Sequence, residues 1–184
     1  IINSPSISDF PSVTDFEDGN AFWTSTGTNS SWELGTPNDT LVINAPASGD
    51  NCWVTNLETN SNTGENSFII SPCFDLSSLE IPTVEFNIWT AFGFLGNQAN
   101  LLISTDSGET WNDTVETWAM SNNNWEYVSI ELTNYIGEPN VRIAFNYVAG
   151  FLPAEGMTID DFTVKEAVLN DVAVGDILKP MSGC

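Results

Sequence analysis

The chain has 184 residues, enough for one domain with a sizeable core, and its 41% hydrophobic content, including 11 Phe and 7 Trp, excludes disorder. Three Lys and Arg against 25 Asp and Glu leave a net charge of −22. That balance excludes nucleic acid as a partner, because affinity for phosphate backbones is built from cations this chain lacks. The absence of His removes Ser-His-Asp and Cys-His nucleophile systems, His-containing zinc sites and imidazole acid-base chemistry. A carboxylate pair of the glycosidase type remains open by residue type, yet no spacing singles one out. The chain therefore reads as non-enzymatic.

In chain order, residues 1–11 read as an N-terminal linker. SVTDFEDGNAFW, residues 12–23, places an acidic cluster containing Glu17 and Asp18 in an aromatic-bearing strand. Strand candidates follow at TLVINAP, NCWVTNL, NSFIISPCF, PTVEFNIWTAF, ANLLIST, WEYVSIEL, NVRIAFNYV and MTIDDFTV, separated by turn-rich segments such as ASGDN, GNQAN and IGEPN. Alternation is clearest at Val84, Phe86 and Ile88, at Val128, Ile130 and Leu132, and at Val141, Ile143, Phe145 and Tyr147. No window offers an amphipathic helix. Eight or more such strands predict an antiparallel sandwich, most simply a jelly roll. Cys52 and Cys73 both sit in strand-like settings; a disulfide between them is the leading reading and two buried thiols the alternative. STDSGETW, residues 104–111, resembles the Asp-box, whose physics is a hairpin: Asp106 accepts from amides of its turn, Gly108 permits the dihedral and Trp111 packs beneath. TNSNTGENS reads as a plain turn.

After Ala167 the character changes, and residues 168–184 read as a linker and the first strand of a following unit, with Cys184 pairing elsewhere. No run of about 18 apolar residues is present to insert into a membrane. A start at Ile1 without an initiator Met or leader is read as a mature or excised piece of something longer.

TDFEDGNAFW with MTIDDFTV, together with WELGTP, SGDNCWVTNL, ENSFIISPCFDLSSL, STDSGETW and NVRIAF in that order, resembles the MAM domain and the galactose-binding-like jelly rolls among carbohydrate-binding modules. It is most similar to a MAM-like module of large secreted and cell-surface Bacteroidetes proteins, commonly exported by the type IX route. The likeness covers about residues 12–167, and NDVAVGDILKPMSGC resembles the opening of an Ig-like module that would follow it. The resemblance implies a structural calcium ion, with Glu17, Asp18, Asp50 and either Asp160 or Asp161 as ligands. The chemistry agrees, since a hard cation offsets the repulsion of gathered carboxylates. Strand parity leaves the choice between Asp160 and Asp161 open: one shares a face with Phe162 and Val164, the other with Ile159. The alternative is an acidic edge that discourages strand pairing.

For a ligand face, the aromatics Trp89, Phe92, Phe94 and Trp118 are the candidates. Asp-Thr-aliphatic tripeptides resemble the Bacteroidetes O-glycosylation signal and point to Thr40 and Thr114; the same stretches carry Asn-x-Thr sequons at Asn38 and Asn112. The expected function is a non-catalytic extracellular interaction module of a secreted or cell-surface protein, serving adhesion, with a glycan or cell-surface protein as partner beside neighbouring Ig-like modules. The alternatives are a carbohydrate-binding module serving an attached enzyme and an accessory domain of a secreted protease.

Overall fold

The computed structural model describes residues 6–38, 41–93, 96–152 and 154–168. Among the described residues thirteen strands run in chain order: β1 Ser6–Ile7, β2 Ser12–Thr14, β3 Thr24–Thr28, β4 Trp32–Gly35, β5 Cys52–Thr55, β6 Asn66–Ile70, β7 Cys73–Phe74, β8 Pro82–Ala91, β9 Gln98–Ser104, β10 Asp113–Trp118, β11 Glu126–Glu131, β12 Arg142–Val148 and β13 Gly156–Glu166. The only helical pieces among the described residues are two single 3-10 turns, Leu76–Ser78 and Thr133–Tyr135. A five-stranded sheet in the order β10-β9-β12-β6-β3 faces a six-stranded one, β11-β8-β13-β5-β4 with β2 also on β13. All pairings within these two sheets are antiparallel, and β1 joins β7 in a short parallel pair. The architecture is an antiparallel β-sandwich.

Period-two alternation fills the space between the sheets. Ile143, Phe145 and Tyr147 of β12 point inward with Ala99, Leu101 and Ile103 of β9, against Val84, Phe86 and Ile88 of β8 and Met157, Ile159, Phe162 and Val164 of β13. Trp23, 1% exposed, sits at the centre and meets Phe16 and Phe162 edge-on and Phe145 stacked. Burial of these rings is the main stabilising contribution.

The first and last parts of the chain meet as expected: Ser12, Val13 and Thr14 pair with Val164, Thr163 and Phe162. Several expectations are corrected. Residues 6–11 are no free linker, because β1 pairs with β7, Ile7 O accepts from Asp75 N at 2.8 Å and Phe10 packs against the core. TLVINAP forms no strand over its described residues 41–46, which belong to a long loop between β4 and β5. β3 and β10 arise from Thr-rich segments, TSTGT and DTVETW, with little apolar alternation, and β4 is the short stretch WELG. The Cys52–Cys73 bridge is absent: both thiols are free and buried. Cys52 lies in the six-stranded sheet and Cys73 in the β1–β7 pair. Thr158 Oγ1 donates to Cys52 Sγ at 3.2 Å, and burial pushes that thiol up to about 12. The expected opening of a following module lies outside the described residues beyond Val168.

Candidate functional site

The acidic residues at the two chain ends do converge, and a β-bulge explains why parity could not choose between them. Asp160 faces Asn87 of β8 while Thr163 faces Glu85, so β13 carries one extra residue, and Asp161 takes φ +52°. The bulge resets the alternation. Ile159 and Phe162 both enter the core, and both aspartates address the β4–β5 loop.

What they hold there is backbone. Asp160 Oδ2 accepts from Ala47 N at 2.9 Å and Ser48 N at 3.1 Å, and its Oδ1 accepts from Asp161 N at 2.8 Å. Asp161 accepts from Ser48 Oγ at 2.6 Å and Asn87 Nδ2 at 2.9 Å. Glu17 stands on the turn after β2, and its Oε1 accepts from Asp50 N at 3.0 Å and Asn51 N at 2.7 Å. Asn51 Nδ2 donates to Glu17 Oε2 at 3.2 Å. Gly49, at φ +58°, has no room for a side chain, since a Cβ would lie 2.5 Å from Glu17 Cδ. Burial raises the Asp160 carboxyl to about 6, the Asp161 charge adds to the rise, and the three amides oppose it. Asp18 and Asp50 are exposed, and Asp50 contributes its amide to the clasp.

Oxygens of Glu17, Asp160 and Asp161 accept from protein donors here, and among the described residues no group of three His, Cys, Asp or Glu is gathered as a metal cluster. The carboxylates act as a clasp that fastens residues 47–51 to the six-stranded sheet. Further along the same loop, Ile43 N donates to Glu155 Oε2 at 2.8 Å and Trp125 Nε1 donates to Ala45 O at 3.1 Å. Ile43 and Trp125 pack with Val54, Trp89 and Ala91. The loop thus covers the part of that sheet's outer face around Val54, Trp89 and Ala91, while Tyr127 on β11 stays exposed.

The aromatic shortlist is corrected by burial. Trp89 lies under this loop in edge contact with Trp125, Phe92 stacks on Tyr147 at 2% exposure, and Trp118 is half-buried against Phe86. Trp89 and Phe92 offer no free ring face, and Phe94 lies outside the described residues. Thr114 is exposed on the edge strand β10, opposite Leu102, while Thr40 lies outside the described residues.

The outer face of the five-stranded sheet is different. The register puts Thr117, Asn100, Asn146, Phe68 and Thr26 in one row across β10, β9, β12, β6 and β3. The next row holds Gln98, Val148, Asn66 and Thr28, and on the other side lie Leu102, Ala144, Ile70 and Thr24. Thr117 Oγ1 and Gln98 Nε2 donate to Asn100 Oδ1 at 2.9 and 2.6 Å. Asn100 Nδ2 donates to Asn146 Oδ1 at 3.0 Å, and Asn146 Nδ2 donates to Asn66 Oδ1 at 2.9 Å. The amides therefore form one directed chain across the sheet. Leu102, Ala144 and Ile70 pack beside it with Phe68 and Trp111. Sequence reading passed over this array because each Asn looks like an ordinary polar position on a half-buried strand; only the register aligns them.

Two other features are structural. Asp106 accepts from Ser104 Oγ at 2.6 Å, Thr110 N at 2.9 Å and Thr110 Oγ1 at 2.7 Å, which hold its carboxyl far below the usual range. This is the hairpin expected of STDSGETW, with Gly108 at φ +88° and Trp111 packed on the sheet. Glu65, 1% exposed, was missed: it accepts from Ser31 N, Ser31 Oγ, Asn62 N and Ser67 Oγ. The TNSNTGENS segment is thus organised by a buried carboxylate.

No family model matches the chain. It is 26% identical over 175 residues to Bacillopeptidase F of Bacillus subtilis (strain 168), an alignment covering 92% of this chain and 12% of that protein's length. Among solved structures it is similar to a cleaved adhesin domain of Lys-gingipain from Porphyromonas gingivalis, with TM-score 0.63, 13% identity, 87% of this chain covered and 100% of that one. It is also similar to a carbohydrate-binding module solved with β-1,4-galactotriose, with TM-score 0.55, 15% identity and coverage of 83% and 94%. A xylan-binding domain of carbohydrate-binding family 22 gives TM-score 0.56, 10% identity and coverage of 86% and 97%. At these identities the likeness establishes the fold, a jelly-roll sandwich.

Proposed function

We propose that the chain is a non-catalytic binding module of a larger extracellular protein and that its ligand is a glycan. One observation carries this reading: the outer face of the five-stranded sheet holds a register-aligned set of amides and hydroxyls, exposed at Asn66, Thr117 and Thr26 and buried at Asn100 and Asn146, beside apolar side chains. Amides both donate and accept, as sugar hydroxyls do, and the neighbouring Phe68 and Trp111 supply surface for the C–H faces of sugar rings. The xylan-binding and galactotriose-bound neighbours support the class of ligand, and the chain's lack of His supports binding without chemistry. The similarity to Bacillopeptidase F supports a place beside a peptidase in a longer chain. The test is affinity electrophoresis and a glycan array with the isolated chain; retention on at least one polysaccharide is expected, and no retention on any would overturn the glycan reading.

Adhesion to a protein partner is the second reading. It is favoured by Phe151 at 96% and Met120 at 82% exposure, on the β12–β13 and β10–β11 loops. The similarity to the cleaved adhesin domain of Lys-gingipain supports it also. Saturable binding to a protein surface, lost on Phe151→Ser, would establish it.

A further inference from the structure

We infer that the apolar cleft between β2 and the turn before β3 docks a partner-protein segment that presents one large apolar side chain flanked by Lys or Arg, a function separate from glycan binding. Phe22 carries the inference. Trp23 N donates to Asn20 O at 2.7 Å, closing a turn whose two central residues, Ala21 and Phe22, sit at φ +46° and +64°. Those are the positive φ values of a type I′ turn, which Gly and Asn adopt readily and a bulky aromatic residue does not. The turn serves the core by burying Trp23, 1% exposed, yet Phe22 itself is 60% exposed. A Gly at this position would relieve the backbone and take an apolar ring out of water. Folding is better served by that Gly, so a Phe held here under strain points to a use outside the fold.

Phe22 lines a cavity of about 200 Å³ together with the buried rings of Trp23, Phe74 and Phe162, the buried Pro72 and the exposed Val13. None of the described residues in the lining is charged, and Ser12 and Thr14 supply its hydroxyls. A protein cavity of about 150 Å³ takes a benzene ring, whereas ligands of drug size fill about 300 Å³ or more. This one therefore seats a single Phe or Leu side chain. An aromatic anchor entering such a pocket is the usual centre of a protein–protein contact, and apolar surface with a polar rim marks one.

Charge selects the partner. Asp15 follows Thr14, Asp75 follows Phe74 and Asp9 lies just beyond Ile7, all three beside residues of the lining, and Asp9 and Asp15 are exposed. The cations among the described residues are committed: Arg142, 5% exposed, donates Nη1 to Ser71 O at 3.1 Å, and Lys165 pairs with Glu85 at 2.8 Å. A segment with Lys or Arg beside its apolar anchor meets complementary charge on this rim. A second copy of the chain brings another −22 and is repelled.

The experiment titrates the labelled chain, followed by amide NMR, with short Gly-Ser peptides carrying Lys-Phe-Lys, Glu-Phe-Glu or Lys-Gly-Lys at their centre. Wild type is compared with Phe22→Gly and with Tyr127→Ala, a control 62% exposed on β11. The Lys-Phe-Lys peptide should give saturable shifts at Val13, Phe22 and Trp23, weakened by added salt, and bind about tenfold or more tighter than the other two. Phe22→Gly should lose about tenfold in affinity while melting at or above the wild-type temperature, and Tyr127→Ala should match wild type in both. Equal affinity for Glu-Phe-Glu would overturn the charge of the partner, and equal affinity for Lys-Gly-Lys would overturn the apolar anchor. An absence of shifts at the cavity would overturn the site and leave the glycan reading untouched. A Phe22→Gly variant that melts several degrees below wild type would show that the ring serves the fold, which also overturns the inference. Self-association of the wild type, lost in Phe22→Gly, would seat a second copy there in place of a basic partner.

Discussion

Asp160→Asn tests the clasp that fastens residues 47–51 to the six-stranded sheet. Asp160 is fully buried and its carboxyl stands at about 6, above its ordinary 3.8. The native state therefore binds the proton more tightly than the unfolded chain, so the stability this group contributes is full below about pH 4 and is lost as pH rises through about 6. With those two values the linkage relation gives about 1.3 kcal/mol gained between pH 7 and pH 5. For a domain of this size that is a melting shift of roughly 3–5 °C. Asp106, Asp75 and Glu85 sit below their ordinary values, the first two under hydrogen bonds and Glu85 under its contact with Lys165. Their contributions run the opposite way, present above the ordinary carboxylate range and lost on acidification. The quantity to measure is thus the difference between wild type and Asp160→Asn in paired thermal melts at pH 7 and pH 5. The wild-type advantage should widen by about 1.3 kcal/mol at the lower pH. A gap that stays constant or narrows would refute the assignment of a buried, proton-holding carboxylate to the loop.

Glu65→Ala leaves four donors on Ser31, Asn62 and Ser67 without their acceptor, and a loss of roughly 3–5 kcal/mol is expected in a denaturant titration. A loss under about 1 kcal/mol would mean water replaces the carboxylate. Cys52 and Cys73 should resist maleimide in the native state and both react once unfolded, without reductant; a non-reduced peptide map joining them would contradict the free thiols. Because amides occupy the clasp oxygens, chelation should leave the melting temperature unchanged. A fall on chelation, restored by Ca2+ and not by Mg2+, would show that an ion displaces those amides.

How far the sequence led can be followed through particular residues. Alternation along NVRIAFNYV and PTVEFNIWT marked β12 and β8 because both strands have one apolar face and one polar or small face. It was silent on TSTGT and DTVETW, since edge strands with exposed faces need little apolar content. TLVINAP misled for a physical reason: Ile43 is buried on the outside of a sheet, as part of the loop that covers it. That Glu17 and Asp160 would serve one region was legible from the two acidic clusters and the pairing of the chain ends, and both accept from the turn at residues 47–51. Their occupation by backbone amides was not, because it depends on how the Ala47–Asn51 turn presents its N–H groups. Trp89 and Phe92 looked available because aromatic residues near a loop carry no mark of which side they face. The amide row could not be read at all, since Asn66, Asn100 and Asn146 come together only through register between strands far apart in the chain.

The central claim is that the chain is a glycan-binding module. Its most direct test is a backbone and side-chain amide NMR titration of the labelled chain with xylo- and galacto-oligosaccharides. Saturable shifts clustered on one part of the surface are predicted with at least one of them. The absence of saturable shifts with every oligosaccharide would contradict it.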